Sequence, residues 1–136
     1  MTRKEFIEAL DREGIHHMEE GGRLIVGRIS PQNPFYSDKL NGYISFYDLG
    51  IDSMPPDVTF ENGGNLQLGD LKKIPQGVFF DNEGYIYWSD VNSSKISRGT
   101  RFGKWVKGIV TNKGFLDFGL PKINEGDLLT AIFKYL

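Results

Sequence analysis

Residues 58–71 read VTFENGGNLQLGDL and residues 78–91 read VFFDNEGYIYWSDV, so one pattern is written twice. The two copies are offset by 20 residues throughout, with no gap between equivalent positions. Self-similarity at a fixed period of this size is typical of stacked supersecondary units. The repeat therefore decides the fold, and it predicts a chain built from short, similar units.

Each copy of the pattern alternates apolar and polar residues on both sides of a central corner. Period-two alternation predicts two short strands joined by a turn. Asn62 and Asn82 are expected at the corner because asparagine tolerates left-handed backbone angles. Gly64 and Gly84 are expected there because they carry no Cβ. The predicted inward positions are Leu66, Leu68 and Leu71 in one copy and Ile86, Trp88 and Val91 in the next.

Weaker copies of the second half of the pattern flank the two good ones. They lie at residues 22–29, 42–49 and 114–119, which brings the count to about five units. Degenerate outer copies are expected, because a terminal unit faces water or a cap on one side. Residues 15–29 should form the first strand pair, and residues 92–113 are interpreted as an irregular basic insertion.

The central repeat resembles a known class of sequence. Starting at Pro55, it reads Pro-x-x-Val-x-Phe-x-Asn-x-Gly-x-Leu-x-Leu, and Leu71, Ile74 and Pro75 follow. This is similar to the short leucine-rich-like repeats of small bacteriophage and gut-bacterial proteins. The likeness covers about residues 22–119 and is specific for residues 54–91. It implies a β-solenoid, carries over no catalytic residues, and includes a phage-type inhibitor of a host protein among the implied functions.

Both ends of the chain carry helical patterns. Residues 1–14 predict a helix that opens with a Thr2–Glu5 capping box and ends at Gly14. Residues 124–136 place their apolar side chains on one helical face, although a final strand is the alternative. We therefore predict one domain over residues 1–136: a mostly-β, short parallel β-solenoid of about five units with N- and C-terminal helical caps.

Composition limits the class of protein. The chain has 136 residues, a net charge of −2 and no cysteine, which excludes a disulfide framework, a thiolate metal site and a cysteine nucleophile. No apolar run reaches the length of a membrane span, and the N-terminus lacks the apolar stretch of a signal peptide. We expect a cytoplasmic protein, in an infected host if it is phage-derived, with no membrane partner and no cofactor.

Charge is distributed unevenly along the chain. Residues 48–90 contain eight acidic residues and two lysines, a net charge of −6. Residues 92–116 contain no Asp or Glu but six cations, which are Lys95, Arg98, Arg101, Lys104, Lys107 and Lys113. Such a segment is usually just solvated. Because Phe102 and Trp105 are interleaved with the cations, the segment is also typical of contact with nucleic acid or an acidic protein.

The alternation turns a set of tyrosines outward. Tyr43, Tyr85 and Tyr87 are predicted on an open sheet face, where rigid amphipathic side chains anchor protein interfaces. Tyrosine also suits a pleated sheet whether or not anything binds there. The predicted partner-binding residues are Tyr43, Tyr85, Tyr87, Lys95, Arg98, Arg101, Lys104, Trp105 and Lys107.

Acidic residues and histidines give weaker signals. Asp48, Asp70 and Asp90 occupy one position in three successive units, so they are expected to stack. Either each closes its own corner by bonding backbone amides, or the carboxylates bind a divalent cation such as Ca²⁺. His16 and His17 are adjacent and would face opposite sides of a strand, which is poor geometry for a metal pair. They are interpreted as surface histidines.

These observations favour a non-catalytic module that binds a macromolecule, and a protein is the first choice of partner. The alternative is a nucleic-acid-binding protein that uses residues 95–113. A metal-dependent hydrolase built on the three aspartates ranks third, because no recognised catalytic motif accompanies them. The acidic region at residues 48–90 would repel a long polyanion lying across the units, which is why protein is preferred.

Overall fold

The computed structural model describes residues 1–27, 42–88, 96–97 and 99–111, together with the backbone of 114–117. The predicted C-terminal cap at residues 124–136 lies outside these ranges. No helix in the described ranges is long and apolar enough to cross a membrane. The elements are α1 (Arg3–Arg12), β1 (His17–Glu20), β2 (Arg23–Val26), β3 (Ile44–Ser45), α2 (Phe46–Leu49), β4 (Val58–Phe60), β5 (Leu66–Gln67), β6 (Phe79–Phe80), β7 (Tyr85–Tyr87), β8 (Arg101–Phe102), β9 (Gly108–Thr111) and β10 (Gly114–Asp117).

The strands form two sheets, and each good copy of the repeat contributes one strand to each sheet. The first sheet has the order β1-β2-β4-β6-β8, and the second has the order β10-β9-β7-β5-β3. Neighbouring strands are parallel except at two places, where β1 pairs antiparallel with β2 and β10 pairs antiparallel with β9. The predicted mostly-β class, with largely parallel strands and few helices, is therefore confirmed.

The structure corrects the assignment of two outer copies. Residues 22–29 match the second half of the pattern in sequence, but Leu24 of β2 lies opposite Val58, which belongs to the first half. Residues 114–119 were expected to form the next parallel unit, but β10 folds back antiparallel on β9. Both halves of the pattern are short alternating strands, so alternation alone cannot distinguish them.

Two strands lie inside the segment that was interpreted as an irregular insertion, residues 92–113. Phe102 of β8 lies opposite Phe80, and Ile109 of β9 lies opposite Ile86. Equivalent residues are 20 apart in the two good copies but 22 and 23 apart here. The extra residues break the period in the sequence, although the hydrogen-bonded strands continue the sheets.

One apolar core lies between the two sheets, and a column of phenylalanines runs through it. The ring centroid of Phe80 lies 5.6 Å from that of Phe60 and 5.5 Å from that of Phe102. Phe46 continues the column at 6.2 Å from Phe60, and Phe6 of α1 lies 6.1 Å from Phe46. This phenylalanine column joins the N-terminal helix to the repeat units.

The second sheet contributes its own inward positions. Gln67 lies opposite Tyr87, so the following Leu68 and Trp88 share one register position. Both are buried, as the sequence predicts. The indole Nε1 of Trp88 donates a hydrogen bond to the backbone oxygen of Leu71 at 2.8 Å. This bond satisfies the one polar group of a large buried side chain.

The corner asparagines have a role that differs from the expected one. Asn62 and Asn82 do not have positive φ, and both are fully buried. The Asn62 amide nitrogen donates to the backbone oxygens of Gly42 at 2.8 Å, Gly64 at 3.2 Å and Asn65 at 3.2 Å. Asn82 repeats this arrangement one unit later by donating to Gly64 O at 3.2 Å. These buried amides link successive units by bonding backbone carbonyl groups.

Gly64 and Gly84 are required for close approach between units. A Cβ built on Gly84 would lie 2.5 Å from Oδ1 of Asn65 and 2.9 Å from the carbonyl carbon of Gly64. A Cβ on Gly64 would lie 2.9 Å from the carbonyl carbon of Gly42. Such separations are far inside van der Waals contact, so a larger residue would push the units apart.

The N-terminal helix forms as predicted. Its capping box is complete, because the Glu5 N–H donates to Thr2 Oγ1 at 3.1 Å and the Thr2 N–H donates to Glu5 Oε1 at 3.0 Å. The bond from the Thr2 backbone holds the pKa of Glu5 below its usual value of 4.5. Phe6, Ala9 and Leu10 form the buried face that packs on the core.

Candidate functional site

The outer face of the second sheet carries the three predicted tyrosines. Tyr43 precedes buried Ile44, and Tyr85 and Tyr87 flank buried Ile86, so all three side chains project away from the core. Tyr43 is 51% exposed, whereas the other two are half-buried. The rings of Tyr85 and Tyr87 are tilted by 59°, with centroids 6.5 Å apart. We call this surface the tyrosine face.

Backbone pairing fixes the positions of these tyrosines. The Ile44 N–H donates to the backbone oxygen of Asn65 at 3.1 Å, which anchors Tyr43 at the start of β3. The Asn65 side-chain oxygen accepts a hydrogen bond from the Tyr85 N–H at 2.9 Å. The Asn65 side chain, just before β5, is therefore hydrogen-bonded to the first residue of β7 and joins the two strands.

Two cations of the basic segment lie beside aromatic rings. The Lys107 N–H donates to Gly84 O at 2.8 Å, which brings this residue next to β7. Its ammonium lies 6.0 Å from the ring centroid of Tyr85. The Lys104 ammonium lies 5.2 Å from the ring of Trp105, which is 52% exposed. The structure thus brings Lys107 to the tyrosine face, with a second cation–aromatic pair in the turn before β9.

Arg101 lies on the other side of the molecule. It belongs to β8 in the first sheet, and its guanidinium carbon lies 4.5 Å from the ring centroid of Phe79. Phe79 alternates with the buried Phe80, so this stack occupies the outer face of the first sheet. Lys95 and Arg98 lie outside the described residues. The basic residues that the structure describes therefore divide between two faces.

A shallow groove on the first sheet escaped the sequence analysis. It has a volume of about 330 Å³ and is bordered by Arg23, Phe79 and Arg101. Because residues 22–29 match the second half of the pattern, as residues 42–49 do, the sequence places Arg23 in the same column as Tyr43. Instead, Arg23 Nε donates to Thr59 Oγ1 at 2.8 Å and its Nη2 donates to Gly77 O. The misplacement follows from the wrong assignment of β2. Arg23 ties three successive segments of the first sheet together.

The aspartates expected to stack do not lie in matching elements. Asp48 lies in the helical turn α2, where its N–H donates to Ser45 Oγ at 3.5 Å. Asp70 lies in the turn after β5, and Asp90 lies outside the described residues. The chain leaves the strand at Ser45, and Gly50 closes the helical turn with φ of 68°. Within the described ranges, no three His, Asp or Glu side chains are grouped to hold a metal ion.

Tyr47 is an exposed aromatic residue that the sequence analysis did not select. It is 55% exposed, and its ring lies 3.3 Å from the position of a Cβ on Gly69. It borders a depression of about 340 Å³ together with Asp52 and Asp70. In the sequence, Gly69 was the available signal for this contact, because a larger residue at that position would displace the Tyr47 ring.

The two histidines have ordinary surroundings. His17 Nε2 lies 2.7 Å from Asp11 Oδ1, which joins β1 to α1 at the surface. His16 precedes the strand and is half-buried. The contact with Asp11, as an ion pair or a neutral hydrogen bond, explains the position of the His17 side chain.

The described surface combines exposed aromatic rings with lysines at one corner and aspartates at another. Strand pairing positions Tyr85 and Tyr87, whereas Asp48, Asp70 and Lys104 lie in the turns beside the strands. No protein-family model, curated protein or solved structure matches the chain in the comparisons with known proteins.

Proposed function

We propose that the chain is a short parallel β-solenoid that acts as a non-catalytic binding module for another protein. The chain visits the two sheets in the same order in successive units, through β4 and β5, then β6 and β7, then β8 and β9. A parallel bridge between Ile74 and Ile96 adds a third line of contact between units. There, Ser97 Oγ donates to Ile74 O at 2.6 Å. This order supports a coil in which each unit is stacked on the previous one.

The tyrosine face carries the functional proposal. Tyr85 and Tyr87 stand on β7 and Tyr43 directly precedes β3, and a tyrosine has few rotamers to order when a partner binds. Tyrosine combines a large apolar ring with a hydrogen-bonding tip and is among the residues that dominate interface energies. Trp105 and Lys107 extend this surface just before the start of β9. Such a surface is typical of protein recognition.

Charge favours a protein over a nucleic acid as the partner. Lys104 and Lys107 lie at one corner, while Asp48, Asp52 and Asp70 are exposed beyond the other ends of β3 and β5. A polyanion that followed the stacked strands would meet these carboxylates. It would also need several phosphate contacts for useful affinity at physiological salt.

Nucleic acid is nevertheless a second candidate, because one observation favours it. The Lys104–Trp105 and Lys107–Tyr85 pairs place cations beside exposed rings, which is the arrangement that holds single-stranded nucleic acid. A nucleic acid confined to this corner would have a short footprint. Its affinity would fall steeply with salt.

The resemblance to small bacteriophage repeat proteins extends the first proposal. A phage-type binding module that occludes a host protein would act as an inhibitor without any catalytic group. The geometry supports only the mode of contact, in which aromatic anchors lie on a flat sheet.

The test uses the full chain and two variants on opposite faces. The first carries Tyr43→Ala, Tyr85→Ala and Tyr87→Ala, and the second carries Phe79→Ala and Arg101→Ala. A photo-crosslinker at Gln67 on the tyrosine face would identify the contacted partner in the native host. The Kd of each purified variant for that partner would then be compared with that of the wild-type chain. We expect the tyrosine variant to weaken binding by at least about 100-fold, equivalent to about 2.7 kcal/mol.

The second variant should bind like wild type, once melting curves show that both variants are folded. Binding that survives loss of the three tyrosines, or that fails in the second variant, would contradict the proposal. Submicromolar binding to generic single-stranded DNA at physiological salt, with a steep salt dependence, would support the nucleic-acid candidate instead.

A further inference from the structure

We propose that the tyrosine face takes an extended peptide segment of the partner, acidic at one end and basic at the other. This inference rests on the proposed function and specifies the chemistry of the partner. Its basis is the unequal distribution of charge around the tyrosine face. Cations lie at the N-terminal ends of β7 and β9, and carboxylates lie beyond the C-terminal ends of β3 and β5.

The basic corner is formed by Lys107 and Lys104. Both residues are exposed, and each ammonium lies within about 6 Å of an aromatic ring, at 6.0 Å from Tyr85 and 5.2 Å from Trp105. A carboxylate bound at this corner would meet a cation held against a ring, which also offers apolar surface. The corner therefore selects an acidic side chain that follows an apolar or aromatic one.

The acidic corner lies beyond β3 and β5. Asp52, Asp70 and Tyr47 border the depression of about 340 Å³, and Asp48 is exposed on the same helical turn as Tyr47. Lys72 Nζ lies 3.9 Å from Asp52, and both side chains are largely exposed, so this ion pair is easily exchanged. A lysine or arginine from a partner would find carboxylates beside an exposed ring.

The separation of the corners sets the length of the segment. Neighbouring strands are about 4.8 Å apart, so β9 and β5 are separated by roughly 10 Å across the sheet. By the strand registers Lys107 is level with Gly64, and the chain stays paired as far as Leu68, four positions or roughly 13 Å further along the strand direction; Asp70 lies just beyond, in the turn. The diagonal to the start of that turn is therefore roughly 16 Å, which an extended peptide spans in about five residues.

The tyrosines lie between the corners and would grip the middle of the segment. Tyr85 and Tyr87 stand on β7, between β5 and β9 in the sheet. A uniformly acidic peptide would be repelled by Asp70, and a uniformly basic one by Lys107. Only a segment with separated charges matches both corners, and the tyrosine face selects against the other two classes.

The experiment pans random displayed peptides of about 12 residues against the intact protein, which is more than twice the expected span. We expect enriched peptides to carry an acidic residue and a basic residue about five positions apart, with apolar or aromatic residues between them. The same selection against the Tyr85→Ala, Tyr87→Ala variant should lose this enrichment. A selection that yields no enriched peptides, or peptides without this charge separation, overturns the inference.

A charge-swap rescue then tests the contact itself with one synthesised peptide from the selection. Lys107→Glu should weaken its binding by at least about 10-fold, because an attractive contact becomes repulsive. Replacing the acidic residue of the peptide by lysine should restore binding to the Lys107→Glu protein. Arg101→Glu, on the opposite face, is the matched control and should leave the Kd unchanged.

The two proposals fail in distinguishable ways. Peptides that need the tyrosines but show no charge separation, or no rescue, refute the inference and leave the proposed function standing. Peptides whose binding ignores the tyrosines refute both. Equal weakening by Lys107→Glu and Arg101→Glu would show a general effect of net charge and would also refute the inference.

Discussion

Replacing Phe80 by alanine should destabilise the protein far more than replacing the adjacent Phe79. Phe80 is fully buried, and its ring lies 5.6 Å from that of Phe60 and 5.5 Å from that of Phe102. Truncating a buried phenylalanine costs about 3–5 kcal/mol, because apolar contacts are lost and a cavity remains. Domains are stable by roughly 5–15 kcal/mol, so Phe80→Ala should remove between roughly a fifth and all of that.

Phe79 is the matched control, since it is the same residue at the next position. It is half-buried on the outer face, and its ring contacts the guanidinium of Arg101 at 4.5 Å. Losing a partly exposed cation–π contact and some apolar area should cost about 1 kcal/mol. The inward and outward positions of the strand therefore predict a difference of at least about 2 kcal/mol between the two variants.

Urea unfolding followed by circular dichroism measures both variants against wild type, with the midpoints compared at equal m-values. A shift of register by one residue would exchange the two phenylalanines between core and surface. Equal losses in the two variants, or a greater loss for Phe79→Ala, would therefore refute the inward and outward assignment of β6 in the first sheet.

Two further predictions concern the repeat and the N-terminal helix. Gly84→Ala should lower the free energy of unfolding by about 1–3 kcal/mol, because its Cβ would meet Asn65. Gly21→Ala has open space around its Cβ but a left-handed backbone, so it should cost about 1 kcal/mol. A thermal melting curve of Gly84→Ala that matches wild type would contradict the close stacking. Wild type should be more stable than Glu5→Gln above the usual glutamate pKa of 4.5, and the difference should vanish as pH falls through the lowered folded-state pKa, where protonation weakens the bond from Thr2. A difference that is the same at every pH would contradict this account.

The tyrosine face could be predicted from the sequence because its signal is local. Tyr85 and Tyr87 alternate with a buried isoleucine, and a glycine marks the start of each strand. Period-two alternation in a parallel stack carries a side chain to the same face in every unit. The register that aligned Leu68 with Trp88 was correct for the same reason, since 20 residues separate them without a gap.

The position of Lys107 could not be predicted in the same way. It depends on a backbone bond to Gly84 across a unit that is longer than the central ones. The extra residues shift β8 and β9 away from the 20-residue spacing, so a search at that fixed period does not find them. Their backbone hydrogen bonds nevertheless align them with β6 and β7. Whether Arg101 and Lys107 lie on one face or two depends on that register.

The two halves of the repeat were confused at β2 because each is a short alternating strand. Leu24, Ile25 and Val26 match either half equally well by polarity. Their parallel pairing with β4 depends on contacts with residues more than 30 positions later, which composition does not encode. Arg23 was misplaced with them, and the groove on the first sheet was missed as a result.

The buried amide of Asn62 also governs how the protein ages chemically. Asn62 is followed by Gly63, and this dipeptide offers little steric protection against cyclisation of the side chain onto the next backbone nitrogen. In the folded state the amide is fully buried and held by carbonyl oxygens of Gly42, Gly64 and Asn65. Cyclisation therefore has to wait for this corner to open. Once deamidated, the side chain would present a carboxylate to those oxygens, and the corner could not close again without a buried repulsion.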